Sequence, residues 1–297
     1  MQYKIAVLDK RLPIEAQKQI QALTTIPLRV SEQPSQSEQE LIEQTGDANI
    51  VLVRPGDKIT ASYLDTCPSI KYVCLCGTSM ANIDQEALKQ RGIPFDNVVD
   101  YGDEPTAEFI FMQLTRLLRG VGPYQWRPEQ HELMGRRIGI IGLGSLGKSI
   151  ASLALAYHMQ ATYYSVHRKP DWESKGLAYK EKQDLLSTSE IIVIGSPSNV
   201  KVLGPAEFAA IKDGSIIVQA SVGDVMDRTA FLAWIKCDGN FLVFDKVAGT
   251  DNISAYKDLP RVLYADTISG DTHETLQRLG QKVVANVKKY LEKTERA

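Results

Sequence analysis

Short apolar runs bounded by turn residues alternate with stretches whose apolar positions recur every three to four residues, and this rhythm occupies most of the chain. Residues 3–8, 50–53 and 70–75 read as strands, and residues 14–22 and 84–90 as helices. Strands separated by helices favour a parallel sheet covered on both faces. Residues 104–119 read as a long helix with Pro105 in its first turn, where a missing N–H does no harm. A second series begins at residues 137–141 and continues through 161–165, 191–194, 215–219, 241–244 and 262–264, which predicts one doubly wound domain. Residues 272–293 are helical again, with Leu276, Leu279, Val283, Val284 and Val287 spaced to return onto the first domain. The polar stretch 31–39 reads as a surface loop.

Composition narrows the function classes. With 34 Lys+Arg against 36 Asp+Glu the net charge is -2, and 43% of the 297 residues are hydrophobic, enough for packed cores in two domains. No basic excess exists to neutralise a phosphate backbone, so nucleic acid is not expected as the main partner. The start MQYKIAVLDKRLP places charges where a secretory leader needs an unbroken apolar region, and no apolar run reaches the roughly 20 residues of a membrane span. A cytoplasmic chain without membrane contact is expected. Cys67, Cys74, Cys76 and Cys237 are too few and too unevenly spaced for a disulfide framework, and the four histidines show no paired spacing near them. The expected set therefore contains no metal.

Gly142-Leu-Gly144-Ser-Leu-Gly147 follows a hydrophobic strand and opens an apolar helix read over 149–157. The first glycine permits the tight turn, the second lets backbone approach a pyrophosphate, and the third lets helix and strand pack closely. A dinucleotide is expected there, on Gly142, Gly144, Ser145, Leu146 and Gly147. The next strand runs into Ser165, His167, Arg168 and Lys169 with no carboxylate at the place where an Asp or Glu would take a ribose 2′-hydroxyl. A hydroxyl followed by positive charges suits a 2′-phosphate, so NADP(H) is preferred over NAD(H).

The chain also resembles the D-isomer-specific 2-hydroxyacid dehydrogenases along nearly its whole length. The residues carrying the resemblance are Cys67-Pro-Ser-Ile-Lys-Tyr-Val before the Gly77 loop, Asn82-Ile83-Asp84, Arg91-Gly92-Ile93-Pro94, Ala107-Glu108, the glycine loop, Ile211-Lys212-Asp213-Gly214, and Ile268-Ser269-Gly270-Asp271-Thr272. The resemblance implies two doubly wound α/β domains. A flavodoxin-like outer domain (1–98, completed by 270–297) would hold an inserted Rossmann nucleotide domain (99–269), with a cleft between them and a homodimer formed through the nucleotide domain. It adds Ser196, Pro197, Ala220, Ser221 and Asp245 to the expected cofactor contacts, Asp245 through the nicotinamide amide, with loop capping as its alternative role.

Members of that family use an Arg to hold the substrate carboxylate, a His to donate the proton and a Glu to keep the His charged. Val222 stands where the Arg should be, Asp266-Thr267 replaces the Pro-His pair, and Thr250 falls near the expected Glu. Neither valine nor threonine can do this chemistry near neutral pH. Lys246, with a pKa lowered by desolvation, Tyr101 and Arg54 are the candidate catalytic groups, against solvent, hinge-packing and ion-pair roles respectively. His273 is read as a cap. The substrate is expected at Thr78, Ser79 and Met80 in the Gly77 loop, whose N–H groups suit an anion, and at Val222 and Thr267. Two functions follow from this reading. One is an NADPH-dependent reductase of a small carbonyl or imine compound with a non-standard proton donor, and the other is a catalytically silent NADP(H)-binding sensor or interaction protein.

Overall fold

The computed structural model describes residues 2–250 and 252–295, so positions 1, 296 and 297 of the expected outer domain lie outside the described residues. The chain divides into two compact units, Met1–Tyr101 with Thr272–Ala297, and Gly102–Asp271.

The first unit contains, in chain order, β1 (Ile5–Val7), α1 (Ile14–Gln21), β2 (Arg29–Val30), α2 (Glu38–Thr45), β3 (Ile50–Val53), α3 (Ala61–Thr66), β4 (Tyr72–Leu75), α4 (Gln85–Gln90) and β5 (Phe95–Asn97). Its strands pair in parallel in the order β2-β1-β3-β4-β5, the flavodoxin-like arrangement. β1, β3 and β4 are buried along their whole length because helices cover both faces, which is why they read as unbroken apolar runs.

The second unit opens with α5 (Asp103–Arg119) and continues through β6 (Arg137–Ile141), α6 (Ser145–Ala156), β7 (Gln160–Tyr164), α7 (Pro170–Glu173), β8 (Ala178–Tyr179), α8 (Lys182–Thr188), β9 (Ile191–Ile194), α9 (Pro205–Ala210), β10 (Ile216–Gln219), α10 (Arg228–Trp234), β11 (Phe241–Asp245), α11 (Ile253–Tyr256) and β12 (Val262–Ala265). Its seven parallel strands follow the order β12-β11-β10-β9-β6-β7-β8, a Rossmann sheet extended by one strand. α12 (His273–Glu295) then rejoins the first unit, burying Leu279, Val283, Val284, Val287 and Leu291. A Cβ at Gly280 would lie 2.8 Å from the Ala16 Cβ, so α12 sits close against α1.

Local chemistry explains two differences from the sequence reading. Residues 38 and 39, read as loop, begin α2 because the Ser37 hydroxyl caps the helix, accepting from the Glu40 N–H at 3.2 Å; a largely polar face hid the period. α6 starts at Ser145 and not at 149, which places Ser145, Leu146 and Gly147 in the first helical turn.

Candidate nucleotide and substrate sites

In the second unit β6 lies between β7 and β9, and the chain leaves it on one side and later returns on the other. Ligands of open parallel sheets bind at such a reversal, outside the carboxyl ends of the strands. Gly142 turns the chain there with φ 96°, and a Cβ on it would stand 2.4 Å from the carbonyl oxygen of Gly195 beyond β9. A Cβ on Gly147 would stand 2.1 Å from the Gly142 carbonyl oxygen, so this glycine sets how closely α6 approaches the turn. A Cβ on Gly144 would meet nothing within 4 Å. The middle glycine thus borders open space at the amino end of a 12-residue helix that no side chain caps, and the cradle fits a pyrophosphate.

Where β7 ends, the Ser165 hydroxyl donates to the His167 carbonyl at 3.0 Å. Arg168 donates from Nε to Glu173 Oε1 at 3.1 Å, makes a second contact from Nη2 to Oε2, and lies 4.9 Å from the Tyr179 ring centre. The Tyr163 hydroxyl donates to the same Glu173 oxygen at 2.8 Å and accepts from the Lys169 N–H at 2.6 Å. The Glu173 carboxylate raises the Arg168 pKa, and Arg168 lowers that of Glu173. Sequence reasoning sought a carboxylate only at the strand end and missed Glu173, which reaches the arginine from α7. Arg168 is still 62% exposed beside it.

The neighbouring loops are tied together by buried polar groups. Ser221 Oγ lies 2.7 Å from the Ser196 carbonyl oxygen, the Ala220 N–H donates to Ile194 at 3.0 Å, and the Pro197 carbonyl accepts from Val200 at 3.3 Å. Buried Gln219 donates its amide to the carbonyls of Ser221, Gly223 and Ala248 at 3.3, 2.9 and 2.7 Å, bracing the loop that carries Val222. Asp245 makes the bonds of its alternative, loop-capping role. Its Oδ1 accepts from the N–H groups of Val247 and Ala248 at 3.1 and 2.7 Å, and its Oδ2 accepts from Ser269 at 2.8 Å. A carboxylate at a buried strand end takes these otherwise unmade bonds, so Asp245 caps the loops after β11 and β12.

At Lys246 the direction of the pKa shift is a correction, and the solvent-facing alternative fits its exposure. Desolvation was to lower its pKa, yet its side chain is 54% exposed and its ammonium lies 3.0 Å from Asp266 Oδ1, which raises the pKa instead. The Tyr264 hydroxyl also donates to Asp266 Oδ1 at 3.0 Å, and the Lys246 N–H donates to the Thr267 carbonyl at 3.0 Å. Lys246, Asp266 and exposed Thr267 therefore share one edge of the unit, while the Thr250 hydroxyl turns back onto the Val247 carbonyl at 2.6 Å.

The first unit holds the other candidates. Arg54 donates to buried Asp57 at 2.7 Å and to the Ser35 carbonyl at 2.6 Å and is 27% exposed, so the ion pair accounts for most of its contacts. Thr78 Oγ1 donates to the Val98 carbonyl at 3.0 Å, whereas Ser79 and Met80 are exposed in the Gly77 loop. Tyr101 is half-buried, packs with the core beneath α12, and its carbonyl accepts from Arg278 Nε at 3.0 Å. His273 is exposed at the start of α12. Cys74 and Cys76 are wholly buried, and burial pushes the Cys74 thiol up to about 12. Among the described residues, no three His, Cys, Asp or Glu side chains group as metal ligands, and no helix is long and apolar enough to cross a membrane.

Residues 5–297 match the family model of the D-isomer specific 2-hydroxyacid dehydrogenase catalytic domain. The chain belongs to that family. A hydroxypyruvate reductase of Blautia hydrogenotrophica is 27% identical to this 2-hydroxyacid dehydrogenase family member over 63% of the chain and 64% of the relative. A glyoxylate reductase of Thermococcus litoralis is 25% identical over 83% of the chain and 82% of the relative. For several curated relatives the match spans less than two thirds of their own length, at 53%, 64% and 66%. Among solved structures, apo D-lactate dehydrogenase from Escherichia coli superposes with a TM-score of 0.82 at 20% identity, covering 98% of this chain and 97% of that one. An acyclic imino acid reductase in complex with NADPH and D-Arg superposes with a TM-score of 0.81 at 20% identity, covering 99% and 98%. At that identity the two superpositions establish the shared fold.

Proposed function

We propose that this family member is a reductase that takes NADPH in preference to NADH and acts on a small carbonyl or imine compound without the Arg/Glu/His set. The carrying observation is the glycine cradle combined with Arg168 and Lys169, which follow β7 with no carboxylate at the strand end. When bound, NADPH supplies the hydride. The N–H groups at the start of α6 receive its pyrophosphate beside Gly142, Gly144, Ser145, Leu146 and Gly147; Ser165, His167, Arg168 and Lys169 meet the 2′-phosphate; Ser196, Pro197, Ala220 and Ser221 border the nicotinamide half.

Lys246 is the leading proton donor in this reading. Its raised pKa keeps the ammonium loaded through neutral pH but weakens it as an acid, so transfer requires release from Asp266. Tyr101 and Arg54 remain the alternative donor and anion clamp, with Thr78, Ser79, Met80, Val222 and Thr267 lining the substrate. Residues 1–98 with 270–297 would form the substrate domain and 99–269 the nucleotide domain of a cytoplasmic homodimer. Exposed Met112, Val121, Met134 and Tyr157 in the second unit support the dimer.

The replacements at Val222, Thr250, Asp266 and Thr267 favour a second reading, a silent NADP(H)-binding sensor or interaction protein. Both are tested by dissociation constants for NADPH and NADH, and by NADPH consumption with a panel of keto acids, aldehydes and imines, repeated with Lys246→Ala and Tyr101→Phe. Turnover lost on either change, with NADPH still bound, supports the reductase. Silence across the panel with NADPH bound supports the second reading, and tighter binding of NADH overturns the cofactor assignment.

A further inference from the structure

The two cations that follow β7 are not equivalent. Arg168 donates from Nε and from Nη2 to the Glu173 carboxylate, whereas among the described residues no carboxylate pairs with the Lys169 ammonium. A guanidinium carries five N–H groups, so both on Nη1 and the second on Nη2 are left without a protein acceptor. The outer fork of Arg168 is open, but its charge is already answered.

Glu173 is fixed in that position from two sides. Its backbone N–H donates to the Lys169 carbonyl at 3.2 Å, where Pro170 starts the short α7. Its Oε1 accepts from the Tyr163 hydroxyl at 2.8 Å, and Tyr163, which is 0% exposed, accepts in turn from the Lys169 N–H at 2.6 Å. Arg168 and then Tyr163 hold the Glu173 carboxyl below the usual carboxylate range, so it is ionised at neutral pH. Arg168 lies over the Tyr179 ring, 4.9 Å from its centre, which gives the guanidinium a seat that does not depend on the carboxylate. With Glu173 24% and Arg168 62% exposed, the pair is solvated and its electrostatic reach is limited by salt.

We propose that Glu173 is a positioning residue that sets the margin by which this chain separates NADPH from NADH. It cancels the charge of Arg168 and leaves the outer fork open, so a 2′-phosphate gains hydrogen bonds there but meets an anion across the same guanidinium. A nucleotide with a 2′-hydroxyl loses nothing to that anion. The arginine thus supplies geometry, Lys169 supplies the uncompensated charge, and the carboxylate keeps NADH usable at the same site. This assignment rests on the reading that Arg168 and Lys169 meet the 2′-phosphate. It does not depend on which nucleotide binds more tightly overall.

The test is calorimetric titration of the full chain with NADPH, NADH, adenosine 2′,5′-bisphosphate and 5′-AMP, at low and at high salt. Wild type is compared with Glu173→Gln, or with Glu173→Met should the first not fold, with Arg168→Ala, and with the double variant. Asp171→Asn is the control, since it removes an exposed carboxylate from the same turn that does not hold the arginine. In the neutral Glu173 variant, NADPH and the bisphosphate should bind about three- to tenfold more tightly at low salt, while NADH and 5′-AMP stay within about twofold. The gain should shrink at high salt and vanish in the Arg168→Ala background, and these results together support the proposal. NADPH binding that is unchanged or weaker in the folded neutral variant shows a structural brace and overturns it, as does loss of folding in both Glu173 variants. A gain shared equally by NADH, retained without Arg168 or matched by Asp171→Asn also overturns it, as does absence of any nucleotide binding. Wild type that takes NADH more tightly than NADPH, with the Arg168-dependent gain still present, leaves Glu173 in this role and removes the NADPH reading.

Discussion

The Lys246 ammonium lies 3.0 Å from Asp266 Oδ1, so the residue after β11 is ion-paired with the residue after β12. Asp266 is the largest cause of the raised Lys246 pKa, and Lys246 the largest cause of the lowered Asp266 pKa. The lysine's contribution is complete below the unfolded lysine range and disappears as pH rises through its folded value. The aspartate's contribution is present above the unfolded carboxylate range and disappears as pH falls through its folded value. The pair is therefore intact across neutral pH. Replacing Asp266 with Asn should move the Lys246 titration downward in an NMR pH series, and an unchanged titration would remove the pair from the solution structure.

The glycine cradle separates stability from binding. Gly147→Ala forces a Cβ against the Gly142 carbonyl, 2.1 Å away, and should destabilise the second unit by about 1–3 kcal/mol. Gly144→Ala meets no protein atom within 4 Å. Its stability should stay near wild type while the NADPH dissociation constant rises about tenfold, roughly 1.4 kcal/mol. Denaturant unfolding and nucleotide titration on both variants check the contrast.

Arg168→Ala removes the guanidinium held by Glu173. NADPH should bind about ten- to hundredfold more weakly, in line with the loss of about 1.5–3 kcal/mol for a hydrogen bond to a charged group, with NADH little changed. Equal losses for both cofactors in competitive titrations would mean that Arg168 does not read the 2′-phosphate.

Asp245 accepts from three backbone N–H groups, at Val247, Ala248 and Ser269. Asp245→Ala leaves these donors without their carboxylate and should cost at least about 2 kcal/mol. Faster hydrogen exchange at 247–248 and 269 is the direct readout. Unchanged exchange together with weakened nucleotide binding would restore a role in cofactor contact.

The strands and the glycine loop were legible because their residue types answer local demands. A strand buried on both faces must be apolar throughout, as in β3 and β9, and only glycine serves at Gly142 and Gly147, where a Cβ has no room. α2 was illegible because it buries little beyond Leu41 and Thr45. The ion pairs were illegible for a different reason. Arg11 meets Cys76 65 positions away, and Lys246 meets Asp266 across two loops, so each partner has meaning only once the sheet sets its register. Asp245 was legible by position, whereas its bonds to the loops after β11 and β12 depend on where the sheet places them.

Because α12 supplies Leu279, Val283, Val284 and Val287 to the same core as Ile5, Val7, Ile50 and Leu52, strands early in the chain wait for the last described helix before that apolar face is fully covered. The inserted unit has no such debt and can close as soon as β12 has emerged. The early strands β1, β3 and β4 are the segments that must be kept from associating with other chains in the interval.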